Sequence, residues 1–169
     1  LNKNFKQAQN QLELIQRKNI ENPMVEQLNI EILLKKGDMN GAYKAITKSL
    51  EKYPNNRVFV YGLANYFIER KLATKAIKFL RSYMLVFRND AKLYEFLAKA
   101  YSLKGLKLLQ FESLAESFYY KYNLQEAISQ MDMAVRASDG DFYQKSRVEA
   151  RLKQLQREKE VYEIIKENL

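Results

Sequence analysis

The chain has 169 residues and a formal net charge of +9, with no Cys and no His. Those two absences exclude a disulfide, a thiol nucleophile, a Cys/His zinc site, an H-E-x-x-H helix and serine–histidine catalysis. Hydrophobic residues at 47%, with only five Gly and two Pro, suit a single all-α domain; no apolar run approaches the roughly 20 residues of a membrane span, and no signal peptide is visible.

In chain order, residues 1–22 open without Met and carry Ala8, Leu12 and Ile15 at helical spacing. Ala8, Ala42 and Ala76 stand 34 residues apart, followed in step by Leu12, Ile46 and Leu80, then by Ile15, Ser49 and Tyr83. A second register keeps the period: Ile30, Ala64 and Ala98; Leu33, Phe67 and Tyr101; Gly37, Lys71 and Gly105. A 34-residue period with small residues at fixed points marks tetratricopeptide (TPR) repeats, helix–turn–helix units that stack into a superhelix of antiparallel helix pairs. Residues 1–22 are then the second helix of a repeat whose first helix is missing. On that reading the chain is a fragment of a longer protein, and any signal peptide would lie in the missing part.

Residues 23–56 form the first complete repeat, with Asn22 as N-cap, Pro23 in the first turn, Gly37-Asp38 as a stop and new cap, and Pro54-Asn55-Asn56 as the end. Residues 57–90 form the second, packed through Val60, Leu63, Ala64, Phe67, Ala76 and Leu80 and closed by Asn89-Asp90. After Gly105 the register breaks. The next matching alanine is Ala127, 51 residues past Ala76, or one and a half repeats. Residues 91–137 therefore read as a three-helix repeat-and-a-half. Its middle helix, near 106–121, closes the unit begun at 91–104 and opens the one finished by 124–137, through Phe111, Leu114, Ala115, Phe118, Ala127 and Met131. Asp141, with Gln144 three residues on, caps a final helix at 141–157. Val148, Leu152 and Leu155 are its buried stripe, and Lys145, Arg147, Glu149, Arg151 and Lys153 its polar outer face. Residues 158–169 extend that helix or fray. The whole of 1–169 is one TPR domain.

In a TPR stack the first helix of each pair lines the concave groove. The core positions of that helix are taken, so positions 2, 5, 9 and 12 of each repeat look outward. These are Gln27 and Glu31, then Tyr61 and Asn65, then Lys92, Glu95, Lys99 and Ser102. Asn pairs with an extended backbone, Tyr supplies flat apolar area, and the charges set register. A protein or peptide is the expected ligand; no catalytic residue and no metal ligand is assigned. Chaperone-adaptor TPR domains grip a terminal carboxylate with Lys, Asn, Asn, Lys and Arg. The matching positions here hold Gln27, Glu31, Gly62, Lys92 and Phe96, so that clamp is absent.

Charge is uneven. Between Arg57 and Lys104 ten Lys/Arg face only Glu69, Asp90 and Glu95, whereas residues 124–169 are near neutral. The basic stretch reads as a solvated helix face, and no nucleic-acid motif accompanies it. The densest aromatic run is Phe118, Tyr119, Tyr120 and Tyr122. On a continuous helix Phe118 and Tyr122 share a face, for which packing between helices is the expected use.

Four segments narrow the resemblance. They are Leu97-Ala-Lys-Ala-Tyr-Ser-Leu-Lys-Gly105, Leu114-Ala-Glu-Ser-Phe-Tyr-Tyr, Leu124-Gln-Glu-Ala-Ile-Ser-Gln-Met and Asp139-Gly-Asp-Phe-Tyr-Gln-Lys-Ser-Arg-Val-Glu-Ala-Arg-Leu152. In this order they resemble the C-terminal TPR region of BepA-like (YfgC-like) bacterial periplasmic zinc metalloproteases, over about residues 5–156. The resemblance implies a non-catalytic, chaperone-like half of a periplasmic protein. Its zinc would lie in a separate H-E-x-x-H protease domain, and this chain itself would hold no cofactor. Implied partners are the outer-membrane protein assembly machinery, an unfolded β-barrel substrate, or the parent's own protease domain. A freestanding cytoplasmic TPR adaptor and a basic helical-repeat nucleic-acid binder are the alternatives, with no nucleic acid expected under the favoured reading. An enzyme in its own right would have to rest on carboxylates such as Glu158 and Glu163, which read as solvated.

Overall fold

The computed structural model describes residues 7, 10–12, 14, 15 and 21–168, and the described residues before 21 that lie in 7–15 are helical. Eight further helices follow: α1 (Pro23–Lys35), α2 (Met39–Lys52), α3 (Arg57–Glu69), α4 (Ala73–Met84), α5 (Ala91–Leu103), α6 (Lys107–Tyr119), α7 (Leu124–Arg136) and α8 (Phe142–Glu167). The chain divides into two compact units, Leu1–Tyr66 and Phe67–Leu169. Of the expected N-terminal stripe, Leu12 is buried and Ile15 half-buried, while Ala8 lies outside the described residues.

Local chemistry places the helix starts. The side chain of Asn22 accepts from Met24 N at 2.8 Å with Pro23 opening α1, and Asp38 accepts from Gly41 N at 2.8 Å to start α2. Asp90 accepts from Lys92 N and Leu93 N at the head of α5. At the head of α8, Asp141 and Gln144 form a reciprocal capping box, with bonds of 2.8 and 3.2 Å.

The helix stops carry the repeat more plainly than the starts. Gly37, Lys71 and Gly105 all have positive φ, at 76°, 54° and 70°. In each turn the next amide reaches back to the carbonyl of Leu33, Phe67 or Tyr101. Tyr122 has φ 60°, and Asn123 N bonds to Phe118 O in the same manner. Thus α6 ends like the first helix of a repeat, half a period after α5 does.

In the first unit α1 packs on α2, with Ala42 and Ile46 sealed inside. Ser49 is also sealed there, and its hydroxyl has no hydrogen-bond partner among the described residues, a cost of about 1–3 kcal/mol. In the second unit α4 packs on α5, α5 on α6, α6 on α7 and α7 on α8. Ser117 Oγ donates to Ala91 O at 2.9 Å, joining the end of α6 to the start of α5, so the two run antiparallel. The α6–α8 core holds Leu108, Ala115, Ala127, Met131, Ala134, Val148 and Leu155, all fully buried. The alanines keep the backbones close, and a larger side chain would force them apart.

Two expectations are corrected. Tyr122 does not share a helix face with Phe118: the helix has ended, and Tyr122 stands 98% exposed in the turn. Arg151 is not on a solvent face of α8, because it is largely withdrawn from water against Glu116 of α6; Arg147 also pairs with α6, through Glu112, but stays exposed. Residues beyond 157 continue as helix to Glu167.

Candidate functional site

The outward positions of α5 come together on one surface. Glu95, Lys99 and Ser102 line a concave pocket of about 520 Å³ whose apolar floor is Ala98, Leu103, Leu114 and Phe118, with Ile68 at one edge. Lys121 closes the rim and bonds to the Glu95 carboxylate, which also accepts from Lys92 Nζ at 2.7 Å. Burial alone would raise the Glu95 carboxyl, but the hydrogen bonds from Lys121 and Lys92 outweigh it and hold the group below the usual carboxylate range. Glu95 is therefore a charged hinge between two lysines.

Lys92 and Lys99 flank the Phe96 ring at 5.5 and 5.8 Å, each in cation–π range. Lys99 makes no ion pair among the described residues, so its charge is available at the pocket rim. The arrangement can hold an apolar side chain in the floor while Lys99 and Ser102 meet polar groups of the same segment.

The other predicted residues lie in the first unit. Gln27 Nε2 donates to Glu31 at 2.9 Å on α1, while Tyr61 is half-buried and Asn65 exposed on α3. The structure thus joins three of the eight in one pocket, with Lys92 bonded to one of them, and pairs two others. Sequence reasoning missed Ile68, which the same positional rule would have found in the second repeat. It also missed Gln110, Leu114, Phe118 and Lys121 of α6 and its end, which were assigned to packing or passed over.

The same repeat positions on α6 are Leu109, Glu112, Glu116 and Tyr119, and they have another use. Arg147 binds Glu112 through two bonds of 2.7 Å, and Arg151 binds Glu116 at 2.7 and 3.0 Å. Both pairs are one helical turn apart in the same direction, so α6 and α8 run parallel. The Arg151 guanidinium also lies 4.5 Å from the Tyr119 ring centroid. Burial would lower the Arg151 pKa, but Glu116 more than offsets it and holds the cation firmly charged.

Among the described residues no group of three or more His, Cys, Asp or Glu could hold a metal ion, and no helix is long and apolar enough to cross a membrane. The zinc that the resemblance implies has no fit to this chain's residues, which offer no imidazole or thiolate.

Antiparallel helices, buried alanines at a 34-residue period and a shared left-handed turn are the architecture of TPR repeats, a class whose members bind other proteins. The tetratricopeptide repeat family model matches residues 33–100. Over 156 residues the chain is 27% identical to the beta-barrel assembly-enhancing protease of Yersinia pestis, covering 92% of this chain and 32% of that protein. The chain thus spans about a third of that relative's length.

Proposed function

We propose that this chain is the protein-binding module of a larger periplasmic zinc metalloprotease that acts in outer-membrane protein assembly and quality control. It holds a segment of a partner protein against α5 and α6. The observation that carries the binding reading is the convergence of Glu95, Lys99 and Ser102 on one apolar-floored pocket. The distant similarity along 92% of the chain supports the protease connection. In this reading the groove set of Gln27, Glu31, Tyr61, Asn65, Lys92, Glu95, Lys99 and Ser102 contacts assembly machinery, an unfolded β-barrel substrate or the parent's own protease domain.

Binding is tested by titrating the chain with an unfolded outer-membrane β-barrel protein and comparing Lys99→Glu with Lys48→Glu. Lys99→Glu should weaken binding about tenfold or more, and Lys48→Glu should leave it unchanged. Equal effects would remove the pocket from the reading. The protease connection is tested by reading the gene upstream of Leu1. A signal peptide followed by an H-E-x-x-H helix supports it, and an open reading frame that starts just before Leu1 leaves a freestanding TPR adaptor.

A further inference from the structure

The second unit has another concavity, on a different side of α6. Residues 110, 114, 117 and 121 face the pocket described above, whereas residues 109, 112, 116 and 120 form a different row and face a trough of about 650 Å³. The floor of this trough is the seam between α5 and α6, with Tyr94, Tyr101 and Tyr120. One wall is α4, through Arg81 and Met84, and the other is α8, through Arg147 and Arg151. It exists because α4 and α8 both flank the α5/α6 seam without meeting over it.

The floor is aromatic and held in place. Tyr94 and Tyr120 stack at 5.4 Å with 24° between their planes, and the Tyr94 hydroxyl donates to Arg88 O at 3.3 Å. On the α8 wall the cations are matched, because Glu112 and Glu116 hold Arg147 and Arg151. Arg81 differs. It is exposed, lies 6.0 Å from the Tyr101 ring centroid, and makes no ion pair among the described residues. The trough therefore presents one uncommitted cation beside a prearranged aromatic surface.

We propose that this trough is a second docking site, for an extended segment of a partner protein carrying an aromatic side chain next to an acidic one. The ring lies on the Tyr94–Tyr120 floor and the carboxylate meets Arg81, which offers a planar fork of donors to two oxygens. From Tyr94 to Tyr101 the floor runs two helical turns, about 10 Å, which an extended chain covers in about three residues. This site is independent of the Lys99 pocket.

The test is fluorescence anisotropy with the whole chain and labelled twelve-residue Ser/Gly peptides bearing a central Phe-Asp, Phe-Asn or Ala-Asp. The Phe-Asp peptide should bind about tenfold tighter than either relative. Arg81→Gln, at an exposed position, should remove the preference for Asp over Asn while leaving the helical signal and thermal midpoint in place. Lys99→Gln should change nothing. The proposal is overturned by equal binding of the Asp and Asn peptides, by a preference that survives Arg81→Gln, or by loss in Lys99→Gln. Absence of binding by all three overturns it, as does binding confined to a control peptide whose Phe bears the terminal carboxylate.

Discussion

Helices α5 and α6 carry the same repeat positions and put them to different uses. On α5, Lys92, Glu95, Lys99 and Ser102 stay at the surface, three of them around a pocket. On α6, Glu112 and Glu116 are bound by Arg147 and Arg151, and Tyr119 lies under Arg151. The difference arises from the next helix. Because α8 runs parallel to α6 and offers two arginines one turn apart, the carboxylates that could hold a ligand hold α8 instead. A repeat position thus fixes the direction in which a side chain points, and the neighbouring helix decides whether that direction leads to solvent, ligand or protein.

The contrast depends on the turn that returns α8 to α6, and breaking it there should have the largest effect. Gly140 has φ 98°, and a Cβ would lie 2.6 Å from Leu108 Cδ1, a side chain buried on all sides. Asp139 accepts from Leu108 N at 3.0 Å in the same turn. Gly140→Ala should cost about 3 kcal/mol from backbone strain and overpacking together, measured as a shift in the urea midpoint. A midpoint within error of the parent would show that the turn relaxes freely.

Next in size are the ion pairs. The Arg151–Glu116 pair is largely withdrawn from water, at 19% and 16% exposed, whereas Arg147 of the other pair is 55% exposed. Arg151→Ala should cost about 2 kcal/mol, because it strands a half-buried carboxylate. A double-mutant cycle with Glu116→Ala should recover a coupling of about 1–2 kcal/mol. Lys99→Ala, at the open pocket of α5, should change stability by no more than about 0.5 kcal/mol. Equal losses at Arg151 and Lys99 would erase the distinction between the two helices.

The helices and their order were legible because they depend on local spacing: Ala42, Ala76 and Ala127 are all buried. Caps at Asn22, Asp38, Asp90 and Asp141 were legible for the same reason, since their partners lie two or three residues away. The fate of Arg147 and Arg151 was not. Charged residues beside a buried stripe read as outer face unless the carboxylates 35 residues earlier are known to lie opposite. Tyr122 was misread for a local reason: a tyrosine in the left-handed region carries no signal, whereas glycine at the equivalent stops does. Half of the groove set fell in the first unit, where the period gives a facing direction and no pocket.

The α5 side of the comparison is sharpened by pH. Glu95 is held below the usual carboxylate range by Lys121 and Lys92. A lowered folded-state value means that its contribution is complete above that range and is lost as pH falls through the folded value. Glu95→Gln should therefore be less stable than the parent at neutral pH, by about 1 kcal/mol. The gap should close as acid protonates Glu95 in the parent. Thermal midpoints measured at intervals from neutral to acid pH would read this directly. A constant gap would assign the effect of the substitution to packing rather than charge.

The smallest effect concerns the turns that set the repeat. Gly37 and Gly105 occupy the left-handed stop without a Cβ, whereas Lys71 occupies the same stop with one, at φ 54°. An L-residue there is disfavoured by roughly 1–2 kcal/mol, partly offset because glycine also loses more freedom on folding. Lys71→Gly should accordingly stabilise the chain by about 0.5 kcal/mol, and it would trim one charge from the basic stretch at no structural cost. Tyr122→Gly should act in the same direction, since that side chain is 98% exposed and sacrifices no packing. If both substitutions stabilise while Gly105→Ala destabilises, the stop after α6 is energetically the same device as the stop after α5. The two helices then differ only in what α8 brings to one of them. If Tyr122→Gly destabilises, the tyrosine makes a contribution that its exposure conceals, and the equivalence of the turns fails.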